Sequence, residues 1–337
     1  MKNLFTLCLM LASATAFSQT TDSATYNYQK GIEEKTARRW LVASQYFERA
    51  VHFNPKYSAA YLENGYVNLE MRKTDPAKAC FAKVIELEPG NIAATNELIT
   101  LYFSYHQYQA ALNLAQKCTA CTNNEKVIAL SYYKLQDYNN AEKILLKLVK
   151  SNPNDAEIMY TTGKVYSEME LASKAIYYYQ KAVALDATQA NWAFELGMLY
   201  FNTENYKNAV IFFNKAASLG FTQSPIFNEN LGYAYLYSGE FDKAEKILLA
   251  IHEKKRGDKD IIRDLAQTYY EHQMYDKSLE FCQKLMELDI KDGKALYQAG
   301  LCFQKKGDLQ RGAQMCDKAI ELDPSLGRLK TKRGGDL

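Results

Sequence analysis

Residues 118–121 read Cys-Thr-Ala-Cys. Two cysteines at this spacing can cycle between dithiol and disulfide, supply half of a tetrahedral zinc site, or fill space as small apolar side chains. Each option asks something of its surroundings. Zinc needs about four ligands, and the four histidines (His52, His106, His252, His272) form no local ligand pair with these cysteines. A dithiol redox site of the usual kind needs a strand running into a helix. The chain holds no GxSxG, no HExxH and no phosphate-cradling glycine loop. Carboxylate pairs such as Glu33-Glu34 read as solvated helix faces. The charged run from His252 to Asp260 alternates in sign and reads as a solvated turn.

What positions the cysteines is a repeat. Residues 60–89 (AYLENGYVNLEMRKTDPAKACFAKVIELEP) and 295–324 (ALYQAGLCFQKKGDLQRGAQMCDKAIELDP) both carry an early Gly and a small residue twelve positions later, and both end in Glu-Leu-acid-Pro. The second small residue recurs as Ala43, Ala77, Ala111, Ala141, Ala175, Ala209, Ala244, Ser278 and Gly312. The steps are 34, 34, 30, 34, 34, 35, 34 and 34, which makes nine units. Each unit holds two apolar-periodic segments of helical length around a short turn. A small residue on the first helix (Gly31, Gly65, Gly163, Gly197, Gly232, Gly300) is expected to face the small residue of the second. Large residues close the pair: Phe47, Phe81, Tyr179 and Phe213 on second helices, Tyr102, Tyr132, Tyr166, Tyr200, Tyr235 and Tyr269 on first helices. Pro55, Pro89, Pro153 and Pro324 end second helices, because proline lacks an N–H and pushes its predecessor out of the helical region. A single hairpin cannot bury its apolar surface, so stability belongs to the stack.

This pattern resembles the tetratricopeptide repeat over residues 24–326. The resemblance implies an all-α chain of tandem helix-turn-helix units stacked as a right-handed superhelical solenoid, with first helices lining a concave groove that holds a peptide or protein. The third unit departs most, with Ile99 in the glycine place and Ala115 in the aromatic place. The eighth lacks its glycine and proline. One binding mode of the family, a Lys/Asn clamp for a terminal carboxylate, is not matched: Lys126 has Leu130 where the clamp needs Asn, and the first unit has Tyr28 and Ile32.

Within this frame Cys118 takes the place of a small residue near the end of a second helix, and Cys121 follows where that helix stops. The step there is 30 rather than 34, one helical turn short. The segment therefore marks a shortened helix and a tight turn, with Cys118 expected as a small buried thiol and a local Cys118–Cys121 disulfide as the alternative. Cys80, Cys282, Cys302 and Cys316 read as core residues, with a Cys282–Cys302 link conceivable.

Composition sets the remaining bounds. The chain has 337 residues, and its 41 basic and 39 acidic side chains give a net charge of +2, so no nucleic-acid partner is implied. Lys2, the apolar run Leu4–Ala12 and the small residues Ala16 and Ser18 form a signal peptide over 1–18, followed by a linker 19–23 and, after the repeats, a basic tail 327–337. The run is too short to span a bilayer. The mature protein is expected to be exported, to a bacterial periplasm, without cofactor or metal, and monomeric.

The expected activity is binding without catalysis. Alternatives are a component of an envelope assembly or secretion complex, and a thiol redox protein using Cys118 and Cys121. The groove positions that turn apolar cluster in the sixth and seventh units: Phe194, Met198, Phe201, Tyr233, Leu236 and Tyr237, with Glu195 and Glu229 at the rim. An exposed apolar patch with a polar rim marks an interaction site.

Overall fold

The computed structural model describes residues 22–255 and 258–328. The segment 1–18 read as a signal peptide and most of the tail 327–337 lie outside the described residues. Among the described residues the chain is helical throughout, with no strand. They fall into two compact units, one ending at Leu171 and the other beginning at Ala172. The first unit contains α1 (22–36), α2 (Trp40–Phe53), α3 (Ser58–Glu70), α4 (Thr74–Leu87), α5 (Ile92–Ser104), α6 (Tyr108–Lys117), α7 (Asn124–Lys134), α8 (Tyr138–Ser151) and α9 (Ala156–Glu168). The second contains α10 (Ala172–Leu185), α11 (Ala190–Asn202), α12 (Tyr206–Ser218), α13 (Pro225–Ser238), α14 (Phe241–Lys254), α15 (Asp260–Glu271), α16 (Tyr275–Leu288), α17 (Gly293–Lys305) and α18 (Leu309–Leu322).

The backbone repeats with the sequence. One residue in the turn after each first helix has a left-handed conformation: Arg38, Arg72, His106, Gln136, Glu170, Glu204, Gly239, Gln273 and Gly307. Their spacing reproduces the series 34, 34, 30, 34, 34, 35, 34, 34. Seven of these nine carry a side chain in a region that favours glycine, at a cost of roughly 1–2 kcal/mol each. The turn pays it back in hydrogen bonds. Lys73 N–H donates to Asn68 O at 2.8 Å and Arg72 N–H to Leu69 O at 2.8 Å, and equivalent pairs close the other turns. These are the two bonds of a Schellman motif, which satisfy carbonyls that the helix end leaves open. The proline stops also hold: α2, α4, α8 and α18 end two residues before Pro55, Pro89, Pro153 and Pro324.

Inside the hairpins, the atoms nearest the open side of the first-helix glycine belong to a large residue sixteen positions on. A Cβ on Gly31, Gly65 or Gly197 would lie 2.5–2.7 Å from the ring of Phe47, Phe81 or Phe213, and one on Gly232 2.7 Å from Leu248. The missing side chain is the socket for that ring. In the last hairpin the nearest atoms include the other small residue, with the Cβ position of Gly300 2.8 Å from Gly312 O. The rule also explains the third unit. Ile99 and Ala115 are both buried in one cluster, so large and small have changed places between the helices and the volume is kept.

Neighbouring hairpins within each unit are clipped by tyrosine. Tyr132, Tyr166, Tyr200, Tyr235 and Tyr269 bury their rings to varying depth and bond a polar group on an earlier second helix. Tyr166 Oη donates to Glu142 at 2.7 Å, Tyr235 Oη bonds Asn214, Gln116 Nε2 donates to Tyr132 Oη at 2.9 Å, and Tyr269 donates to Glu245. The stack ends in a 3₁₀ turn, Pro324–Leu326, that places Leu326 against Tyr297, Leu301, Cys316 and Ala319.

Candidate functional site

Two places bring together the residues that sequence reasoning singled out. The first is the Cys-Thr-Ala-Cys turn. α6 stops at Lys117 after ten residues, and Cys118 is its C-cap. The chain then leaves the helix, and Cys121 N–H donates to Cys118 O at 3.3 Å, so the four residues form one turn. The two cysteines are joined as a disulfide, with Cα atoms 5.5 Å apart. This corrects the expectation of a free thiol. A strained ring would follow if both residues belonged to a helix end, but both lie outside it, in a turn that presents the pair at an ordinary disulfide separation. Cys121 is buried beside Ile99, Ala115, Val127 and Ile128, while Cys118 is half-buried. Asn123 takes the left-handed conformation that lets α7 begin at once. A cavity of about 660 Å³ opens beside the turn, lined by Gln116, Thr119, Cys121, Lys126, Tyr132 and Asp155 among others. Lys126 is paired with Glu157 there.

Among the described residues the other cysteines, Cys80, Cys282, Cys302 and Cys316, form no disulfide. Cys282, Cys302 and Cys316 are buried, and Cys302 Sγ lies 3.3 Å from Ser278 Oγ. Burial pushes the Cys282 thiol up to about 12 and that of Cys80 up to about 11, so neither is a nucleophile near neutral pH. Among the described residues no group of three or more His, Cys, Asp or Glu side chains is placed to hold a metal ion.

The second place is the aromatic face of α11 and α13. The six residues expected there divide. Phe194 stacks on Phe221 at 4.4 Å between ring centroids and packs at 5.8 Å against both Phe213 and Phe227, which are fully buried. Phe194 therefore belongs to the packing that joins α11, α12 and α13. Leu236 is fully buried and is likewise a core residue, not a groove residue. Met198 is half-buried. Phe201, Tyr233 and Tyr237 remain, and they lie in one row. Phe201 packs edge-on to Tyr206 at 5.5 Å, Tyr206 meets Tyr237 at 4.9 Å, and Tyr237 stacks with Tyr233 at 5.8 Å. Tyr237 is 38% exposed. Tyr233 Oη donates to Asp264 Oδ2 on α15 at 2.7 Å, which ties the row to a third first helix.

Tyr206 and Asp264 were missed. For Tyr206 the signal was present: Trp40, Tyr108, Tyr138, Tyr206, Phe241 and Tyr275 each open a second helix. Four of these positions pack against the aromatic five residues earlier, as in Phe103–Tyr108, Tyr133–Tyr138, Phe201–Tyr206 and Tyr270–Tyr275. Asp264 carries no comparable mark. Electrostatically the row is acidic. Burial first, then the carboxylates of Asp264 and Glu271, push the Tyr237 hydroxyl up, and Tyr233 is pushed up by burial and by its bond to Asp264. Burial also raises Asp264 itself, against the pull of the Tyr233 hydrogen bond.

Comparison with known proteins detects one kind of repeat in parts of the chain. A family description of the tetratricopeptide repeat matches residues 127–190, and a second description of the same repeat matches 58–91, 193–219 and 293–326. Tandem tetratricopeptide-type hairpins are thus detected in both compact units. The chain is similar to anaphase-promoting complex subunit 3 of Schizosaccharomyces pombe, at 23% identity over 47% of this chain and 24% of that protein. Among solved structures it is similar to YrrB, a TPR protein described with an unusual peptide-binding site (24% identity, 56% of this chain, 97% of that chain, TM-score 0.39). It is also similar to the C-terminal part of a TPR repeat-containing protein from Cytophaga hutchinsonii (22% identity, 68% of this chain, 95% of that chain, TM-score 0.44). The chain spans a third or less of the length of the curated relatives it matches.

Proposed function

We propose that the protein is a non-catalytic scaffold that binds a partner protein or peptide segment on the first-helix face of its second unit. The observation that carries this is the row Phe201–Tyr206–Tyr237–Tyr233. Its rings pack on one another yet leave Tyr237 open to solvent, on a fold that supplies extended helical faces. Aromatic anchors of this kind commonly dominate protein interfaces. We further propose that the protein works outside the reducing cytosol. The signal-like N-terminal sequence and the Cys118–Cys121 disulfide support that reading, since disulfides persist in oxidising compartments. No helix among the described residues is long and apolar enough to cross a membrane.

The test is affinity capture from intact cells with the parent chain and with a Tyr237→Ala variant, followed by measured affinity for the recovered partner. Truncating one central anchor is expected to weaken binding by about 2 kcal/mol, roughly thirtyfold, with unchanged helical signal. Equal affinity of parent and variant would place the partner elsewhere on the molecule.

A further inference from the structure

We propose that the face formed by α11, α13 and α15 recognises basic side chains, so that its partner is a segment carrying lysine or arginine. The inference rests on the surface reading above and names the chemistry of the occupant. Three independent observations lead to it.

The first is the ring geometry. Tyr206, Tyr237 and Tyr233 stand in series with centroids 4.9 and 5.8 Å apart, and Tyr237 faces solvent. The face of a tyrosine attracts a cation placed within about 6 Å of its centroid. The second is charge. Asp264 and Glu271 act on Tyr237, Asp264 and Glu229 on Tyr233, and Glu204 on Tyr206. The neighbouring cations are committed elsewhere. Lys255 lies 3.7 Å from Glu229, and Arg263, next to Asp264 in sequence, makes its short contacts to Asp292 at 2.9 Å. Among the described residues Glu204, Asp264 and Glu271 make no ion pair. Glu204 and Glu271 thus have no ion-pair partner among the described residues, and Asp264 feels only the field of Arg263, whose short contacts go to Asp292.

The third observation is a contrast within the protein. Elsewhere the chain places its own lysines over its tyrosine rings: Lys35 over Tyr66 at 5.3 Å, Lys78 over Tyr105 at 5.6 Å and Lys243 over Tyr235 at 5.1 Å. No lysine or arginine of the described residues occupies the faces of Tyr206, Tyr233 or Tyr237. An ammonium or guanidinium group from a partner meets here both a ring face and a carboxylate. An acidic segment meets like charge, and a purely apolar one leaves the carboxylates uncompensated.

The experiment uses three labelled ten-residue Gly/Ser probes with one tryptophan and three lysines, three norleucines or three glutamates, titrated by fluorescence anisotropy against the full chain. The lysine probe is expected to bind about tenfold more tightly than the norleucine probe, and the glutamate probe weakest. Tyr237→Leu keeps every carboxylate and removes one ring. It is expected to weaken the lysine probe about fivefold, which separates ring recognition from bulk charge. Asp264→Asn keeps a partner for Tyr233 and removes one charge, and it is expected to weaken the same probe by a similar factor. Tyr237 is exposed, so its replacement leaves the fold intact, checked by an unchanged thermal melt. Lysine and norleucine probes that bind alike and both weaken with Tyr237→Leu overturn the basic chemistry while the surface reading stands. No binding of the lysine probe, or binding untouched by either variant, also overturns the proposal. Full affinity of the captured native partner for Tyr237→Ala instead removes the surface reading beneath it.

Discussion

Asp292 joins the last two hairpins, and removing it tests how the stack is held. It is 7% exposed, caps α17 by accepting from Ala295 N–H at 3.0 Å, and receives Arg263 Nη2 from α15 at 2.9 Å, with Lys259 at 3.8 Å. Asp292→Ala removes the cap, worth about 1 kcal/mol. It also strands the Arg263 guanidinium. Breaking a buried pair costs about 3–5 kcal/mol, and the lower end applies here because the Arg263 side chain keeps 34% exposure and can rehydrate. The sum is about 4 kcal/mol, close to a thousandfold increase in opening of α15–α18. Asp292→Asn keeps an oxygen for the Ala295 amide, so it should cost about 3 kcal/mol, the charge alone. Native-state hydrogen exchange reads both values helix by helix. Because each repeat contacts only its neighbours, amides of the first unit should keep their protection. Both variants within about 0.5 kcal/mol of the parent, a difference typical of neutral surface changes, would refute this account of the joint.

Other predictions follow from the same contacts. Burial alone would raise the Asp292 carboxyl, but the Arg263 bonds, the Ala295 amide and Lys259 outweigh it and hold it below the usual range. Its contribution is therefore present above the ordinary aspartate value and lost on acidification. Protection of α15–α18 should fall below about pH 4 in the parent more steeply than in Asp292→Asn, seen by exchange at matched pH. Gly197→Ala would set a Cβ 2.7 Å from the buried Phe213 ring and should cost about 1–3 kcal/mol in a urea melt; an unperturbed melt would mean the socket is not tight. Ala209→Arg places a charge at a fully buried position and should cost at least a few kcal/mol by the same measurement. Reducing Cys118–Cys121, or replacing both by Ser, should speed amide exchange at 115–128 while leaving α3 and α17 unchanged; mass spectrometry of the alkylated, unreduced chain should show the linked peptide.

The repeat was legible because close packing leaves a periodic mark. Gly197 is needed where Phe213 inserts, and Pro55 where α2 stops, and their equivalents return in phase with the 34-residue period in six and four of the nine units. What faced the glycine was not legible, since periodicity places two residues on one hairpin without saying which pair touches. Sequence reasoning named Ala209, and the ring that fills the space beside Gly197 is that of Phe213. The Cys118–Cys121 bond depended on α6 ending at Lys117, before both cysteines, a boundary finer than apolar periodicity resolves. Phe194 and Leu236 looked like groove residues because they sit on first helices. Whether such a ring points into a groove or into a neighbour depends on partners such as Phe221 and Phe227, brought in by the turn before α13. Asp264 was invisible, because one carboxylate on an amphipathic helix looks like any other until a tyrosine hydroxyl reaches it.

The central claim is that a partner docks on the first-helix face around Tyr237. It is tested most directly by a photoreactive phenylalanine analogue placed at position 237 and, separately, at Ile211, which is 58% exposed on the second helix α12. After irradiation of intact cells, the account predicts one discrete crosslinked species from position 237, suppressed by Asp264→Asn, and none from position 211. The same species from position 211, with none from position 237, would contradict it.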